Sequence, residues 1–144
     1  MVTENTEPAP APEDAERPRD ERIIERDYML QALARSVAKG HMTLSLTVVA
    51  GGATMSGLLV PRLRWYEMQA ERSPDGAGKQ FLQGFADIER EDPAEVPEDL
   101  ERFGFLHLAD ARLIEAGASS GGGLFFRVRI SEVAAWSFAA LEAR

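Results

Sequence analysis

Residues 41–60, which read HMTLSLTVVAGGATMSGLLV, decide the fold. Apolar and small polar side chains alternate through the first half of this stretch, and this is the period of a strand with one buried face. The pair Gly51-Gly52 can adopt the positive φ of a tight turn, so the second half predicts a returning strand. Gly57 inside that second strand indicates a bend or bulge. The stretch is therefore predicted to form a β-hairpin whose second strand curls.

Helical periodicity flanks the hairpin on both sides. Before it, apolar residues recur at helical spacing up to Gly40, with Asp20 or Asp27 as the candidate N-cap. After it, residues 62–72 have helical spacing, and residues 79–88 predict a second short helix. The hairpin is thus expected to be preceded by one helix and followed by two.

The C-terminal third has the pattern of three further strands. Residues 103–114 mix aromatic and β-favouring side chains around a small turn at 109–110. Over residues 124–130 the apolar set Leu124, Phe126, Val128 and Ile130 alternates with Phe125, Arg127 and Arg129. Residues 133–138 predict a short closing strand. Together the patterns predict an α+β protein that is mainly β. We expect an N-terminal helix followed by about five antiparallel strands that form a small curled sheet or a small barrel.

Acidic segments set the domain boundaries. Residues 1–27 hold nine acids, four bases and four prolines, so we expect residues 1–22 to be a disordered acidic tail. Residues 86–101 hold eight acids and one base, which predicts an exposed acidic loop. Residues 23–144 are then a single domain, with residues 62–102 as a helical and acidic insertion.

Composition excludes several classes of protein. The chain has 144 residues, 44% of them hydrophobic, with no cysteine and a formal charge of −8. The lack of cysteine removes disulfides and thiolate sites and fits a reducing cytoplasm. Apolar runs are far shorter than the roughly 20 residues of a membrane-spanning helix. The negative charge disfavours binding to nucleic acid, because that affinity comes from lysine and arginine.

Catalytic and metal-binding motifs are weak. The two histidines, His41 and His107, lack the spacing of a zinc site. The glycine-rich stretch at 117–123 is not followed by the lysine and hydroxyl pair of a phosphate loop. The acids of residues 86–101 lack the order that wraps calcium. We therefore predict no catalytic residues, no cofactor and no metal, and a protein that is not an enzyme.

Four blocks of sequence resemble the gas vesicle accessory protein family called GvpU. They are LSLTVVAGGATMSGLLV (residues 44–60), Trp65-Tyr66, FLHLADARLI (residues 105–114) and FFRVRISEVAAWSFAAL (residues 125–141). The resemblance implies a non-enzymatic cytoplasmic protein, associated with gas vesicles, that does not build the vesicle wall. It implies a role in the assembly or clustering of vesicles, with shell proteins or other accessory proteins as partners.

The order of helix, bent hairpin, insertion and closing strand is also similar to Sm-like and SH3-like small barrels, a likeness of architecture alone. Outside the two acidic segments the chain carries an excess of bases, so acidic arms of one molecule could contact basic patches of another. Self-association through linked weak contacts is therefore expected. The candidate interaction surface consists of Trp65, Tyr66, Arg127, Arg129, Trp136 and Phe138.

Two alternatives stay open at this point. An Sm-like RNA-binding protein would use Arg62 and Arg64 together with Arg127 and Arg129 as its contact face. A generic adaptor would bind peptides by adding a strand to an open sheet edge.

Overall fold

A computed structural model of the protein describes residues 27–115, 118–119 and 123–138. Within these ranges there are three α-helices: α1 (Tyr28–Ala38), α2 (Arg62–Arg72) and α3 (Ala77–Glu91). The strands are β1 (Leu44–Ala50), β2 (Ala53–Leu59), β3 (Phe105–Glu115), the two-residue β4 (Ala118–Ser119), β5 (Leu124–Arg129) and β6 (Val133–Phe138). The predicted α+β class, mainly β with a helix before the sheet, is confirmed.

The strands form one antiparallel sheet in the order β6-β1-β2-β3-β5. The short strand β4 pairs with the C-terminal end of β3. Among the described residues β5 and β6 do not pair, so the sheet is not closed into a barrel. The chain nevertheless passes from one edge strand to the other through a single 3₁₀ turn, Ile130–Glu132. The two edges must therefore lie near each other, and of the two predicted architectures the curled open sheet is the one that forms.

The predicted hairpin is confirmed in every element. Strands β1 and β2 pair antiparallel around Gly51 and Gly52, whose φ values of 59° and 80° lie in the left-handed region. Glycine adopts this region without the steric cost that a side chain brings. The Gly-Gly pair therefore sets the turn, and the turn sets the register of both strands.

The predicted bend at Gly57 is a bulge between β2 and β3. The register of this pair shifts between Ser56 and Leu58, where Gly57 lies opposite the kink of β3 at Asp110, whose φ is 51°. A Cβ atom on Gly57 would lie 2.8 Å from the Cβ of Ala111. The two strands can approach this closely only because position 57 has no side chain.

Helix α1 covers one face of the sheet. Its N-cap is Asp27, which accepts a hydrogen bond from the backbone N–H of Leu30 at 3.0 Å, while the alternative cap Asp20 lies outside the described residues. The indole N–H of Trp136 on β6 donates to the other carboxylate oxygen of Asp27 at 2.8 Å. The core between helix and sheet is formed mainly by Leu30, Val37, Leu46, Val48, Leu59, Leu106, Leu108 and Val128.

Helices α2 and α3 form a helical pair on the opposite face, where Trp65 packs against Val60 and Ala109. Helix α3 is longer than the predicted 79–88 and runs to Glu91, so the loop predicted over residues 86–101 is wrong in its first part. Tertiary contacts explain the extension. Ala86 is buried, and the acidic neighbours that suggested a loop are held in ion pairs, Asp87 with Arg90 and Glu89 with Arg62.

Candidate interaction surface

The structure separates the six predicted interaction residues into two groups. Trp65 and Tyr66 on α2 lie near β5, which carries the two arginines, and Trp65 is linked to Arg127 through His107. Trp136 and Phe138 lie on β6, at the other edge of the sheet, with their ring centroids 5.4 Å apart. Four of the six residues therefore belong to one region, and two belong to another.

Trp65 anchors helix α2 to the sheet. It is only 9% exposed, and its indole N–H donates to the backbone carbonyl of Leu108 at 3.1 Å. Its ring meets the rings of His107 and Phe125 edge to face, with centroids 5.5 Å and 6.4 Å away. Such edge-to-face pairs add to the energy of simple burial. Trp65 thus positions the surface around it and offers little area of its own to a partner.

The guanidinium groups of Arg127 and Arg129 both lie over the ring of Phe105. The pairing of β3 with β5 places Phe105 opposite Arg129 and His107 opposite Arg127. The guanidinium carbon of Arg127 lies 3.7 Å from the centroid of the Phe105 ring, and that of Arg129 lies 5.9 Å from it. We call Phe105, His107, Arg127 and Arg129 the arginine cluster. In the part of the chain that the structure describes, neither arginine has a carboxylate partner, so both can bind an anion.

His107 is an electrically neutral histidine within the arginine cluster. Burial lowers its pKa most, and the positive charges of Arg127 and Arg62 lower it further. Together these effects bring the pKa of His107 from 6.5 to about 4. The neutral ring accepts a hydrogen bond at Nε2 from Nε of Arg127, 3.3 Å away. This contact fixes the Arg127 side chain over Phe105. His41, the other histidine, is exposed after the end of α1.

A row of exposed apolar side chains runs along α3. Phe81, Phe85 and Ile88 are 65%, 43% and 64% exposed, and we call them the α3 stripe. The rings of Phe81 and Phe85 have centroids 4.9 Å apart, and Phe85 contacts Tyr66 at 5.8 Å. Their spacing of four and three residues is the signature of one helical face, so the signal was present in the sequence. The helix predicted over residues 79–88 does not by itself show which face is exposed, because that depends on how α3 packs against α2.

Aromatic contacts connect the α3 stripe to the arginine cluster. Tyr66 meets Trp65 with ring centroids 5.9 Å apart, and Trp65 in turn meets His107. The result is a series of ring contacts that runs from the exposed face of α3, through the buried Trp65, to the two guanidinium groups. A surface with this combination, aromatic and arginine side chains at one place, is typical of protein interfaces.

A cleft of about 540 Å³ lies between α1, the end of β2 and residues 93–97. Its apolar lining includes Val37, Leu59 and Phe105. His107 also lines it, but its Nε2 is bound to Arg127. Within the described residues no group of three histidine, aspartate or glutamate side chains could hold a metal ion.

These features describe a small α+β protein whose exposed groups suit contacts with other proteins. The family model described as gas vesicle protein GvpU-like matches residues 27–141. The chain belongs to this GvpU-like family, as the resemblance of its strands implied, and is therefore a gas vesicle accessory protein. No curated protein and no solved structure matches it significantly. Of the helices in the described ranges, none has the length and apolar character needed to span a membrane.

Proposed function

We propose that this protein is a non-enzymatic accessory protein that assists the assembly or clustering of gas vesicles by contacting their proteins and by self-association. It would act in the cytoplasm at the vesicle surface, with shell proteins or other accessory proteins as partners. Membership of the GvpU-like family supports the link to gas vesicles. The α3 stripe is the observation that supports a docking role.

The exposed area of the α3 stripe indicates the strength of the contact. Full burial of an aromatic side chain removes roughly 150–250 Å² from water. With Phe81 and Ile88 about two-thirds exposed and Phe85 less so, the stripe offers on the order of 300 Å². A stable interface needs about 800 Å² on each partner. A single contact through the stripe is therefore weak, and it becomes effective when a shell of repeated subunits offers the same contact many times.

Co-flotation with purified gas vesicles tests the docking role. The triple variant F81A/F85A/I88A keeps helix-forming residues on α3 but removes most of the exposed apolar area. We expect it to float with vesicles far less than the wild type. The matched control is Q80A/Q83A, which changes two exposed polar residues of the same helix and should leave co-flotation unchanged.

Cells provide the second readout of the proposed function. Vesicle number and arrangement, observed by microscopy and buoyancy, should change when the chain is removed and should return with the wild type but not with F81A/F85A/I88A. Circular dichroism of the purified variants shows whether α3 is retained. Co-flotation of the triple variant at the wild-type level would refute docking through the α3 stripe. Normal vesicles without the chain would refute the accessory role itself.

A further inference from the structure

The charges of the described surface are arranged so that one copy complements another. We propose that copies of this protein associate head to tail, with the acidic segment of residues 91–95 in one copy bound to the arginine cluster of the next. This inference rests on the self-association in the proposed function and names the surfaces that carry it. It uses groups other than the α3 stripe.

The acidic segment, EDPAE at residues 91–95, begins at the last residue of α3. All five residues are exposed, and three of them are acids with no base among them. The cation just before the segment and the cation beside Glu98 are already engaged. Arg90 is paired with Asp87 and Glu67, and Lys39 is paired with Glu98. In the described part of the chain the three carboxylates of the acidic segment thus have no ion-pair partner.

The arginine cluster has the matching chemistry. A guanidinium group presents a planar set of donors that fits a carboxylate with two parallel hydrogen bonds. Arg127 is held over the Phe105 ring, so less side-chain freedom is lost when it binds. Phe105 is also partly exposed and offers a flat apolar surface for Pro93 between the acidic residues. The cluster can therefore bind both the charges and the proline of the acidic segment.

Anchors at both ends hold the acidic segment in place, beside the cleft that Pro93 and Glu95 line together with Phe105 and His107. Helix α3 fixes its start, and Glu98 fixes the chain just beyond its end. The Glu98 carboxylate accepts a bond from Lys39 at 3.3 Å, and its backbone carbonyl accepts one from Arg35 at 2.8 Å. In this anchored position no carboxylate of the segment pairs with Arg127 or Arg129 in the described structure. The complementary charges are then satisfied by a neighbour.

The proposed contact joins two different surfaces. A bound pair of copies therefore still has one free acidic segment and one free arginine cluster. Contacts of this kind extend into chains unless the rotation closes a ring. A chain of copies would present many α3 stripes at once. Head-to-tail association would in this way raise the avidity of the weak docking contact.

Charge exchange tests the pairing in the full-length protein. The variant R127E/R129E reverses the charge of the arginine cluster, and E91K/D92K/E95K reverses the charge of the acidic segment. A third variant carries all five changes. Sedimentation velocity at low and high salt measures self-association. We expect each single-surface variant to self-associate about tenfold more weakly, because like charges then face each other. Self-association should return in the five-fold variant and in an equimolar mixture of the two single-surface variants. High salt should weaken it in the wild type.

The control is R64E/R102E, which changes the net charge as much as R127E/R129E but at exposed arginines outside the cluster. It should self-associate like the wild type, and thermal melts check that every variant is folded. Failure of the five-fold variant to restore self-association would overturn the proposal. So would loss of single-stranded RNA binding in R127E/R129E with self-association intact, which would assign the cluster to RNA. The co-flotation test of the α3 stripe compares F81A/F85A/I88A with the wild type and stands under either result, so the two proposals fail separately.

Discussion

His107 makes the stability of this protein depend on pH in a defined direction. The pKa of His107 is about 4 in the folded chain, against 6.5 for an ordinary histidine, because of burial first and of Arg127 and Arg62 second. Between these two values the unfolded chain binds the proton more readily than the folded one. The stabilisation from a neutral His107 is therefore complete above about pH 6.5 and is lost as the pH falls towards 4.

The size of the effect follows from the shift. Each pKa unit corresponds to about 1.4 kcal/mol, so the full difference sets an upper limit of about 3 kcal/mol at pH 4. His107 is partly accessible at the surface, where water screens the charge of the arginines. We therefore expect a loss on the order of 2 kcal/mol between pH 7 and pH 4 that belongs to this residue.

Urea unfolding of wild type and H107Q at several pH values measures this loss. The glutamine side chain can accept the hydrogen bond from Arg127 but does not titrate, so H107Q should lose less stability on acidification. The carboxylates titrate equally in both proteins, and the difference between the two curves therefore isolates His107. The matched control is H41Q, which removes the exposed histidine and should follow the wild type. Parallel curves for wild type and H107Q would refute the reasoning.

Two further predictions concern the fold. Gly57→Ala should destabilise the protein by about 1–3 kcal/mol, because the new methyl group overlaps Ala111. Adding Ala111→Gly should recover part of that loss in a double-mutant cycle. Asp27→Ala should cost about 2 kcal/mol, because it removes both the cap of α1 and the acceptor for Trp136. Denaturant unfolding measures all of these changes.

Matched variants make both fold predictions refutable. Gly84 lies on the exposed side of α3, where an added methyl group would meet no atom within 4 Å, so Gly84→Ala should stabilise by up to about 1 kcal/mol. Equal effects at positions 57 and 84 would show that close approach at the bulge is not the cause. Asp27→Asn keeps a capping side chain and should cost less than alanine. If both substitutions at position 27 cost the same, the cap is not what the residue provides.

Local patterns were enough to predict most of the sheet. Alternation in residues 41–60, the Gly-Gly turn and Gly57 each act through the backbone of their own neighbourhood, and all three appear in the structure as expected. The sequence offers two aspartates as the cap of α1, and Asp27 is the one with the hydrogen bond to the helix. These features depend on sequence spacing alone, which is why they can be recognised without a structure.

The end of α3 depended on information that the local sequence does not carry. A run of acids next to prolines is typical of a loop. Here, however, Glu89 forms an ion pair with Arg62 of α2, and Ala86 is buried. The sequence likewise does not distinguish a closed barrel from an open curled sheet. Strand periodicity predicts which residues face the core, but closure depends on the curvature of the whole sheet.

The sequence suggests residues for a candidate surface but does not show which of them lie together. Arg127 and Arg129 alternate on one face of a strand, which the sequence shows, but their position beside Phe105 depends on the register between β3 and β5. Trp136 is an isolated tryptophan like Trp65, but it lies on β6, at the other edge of the sheet. A tryptophan in the sequence therefore suggests a packing role, whereas the strand order decides which elements it packs against.

The bond between Asp27 and Trp136 has a practical consequence for protein engineering. It joins residues 109 positions apart and brings the first described residue beside the last described strand. A short designed linker could therefore connect these two points, with new termini opened at the Gly51-Gly52 turn. Such a circularly permuted chain would retain α1 and β6 as neighbours while moving any attached fluorescent or affinity label to the far end of the hairpin.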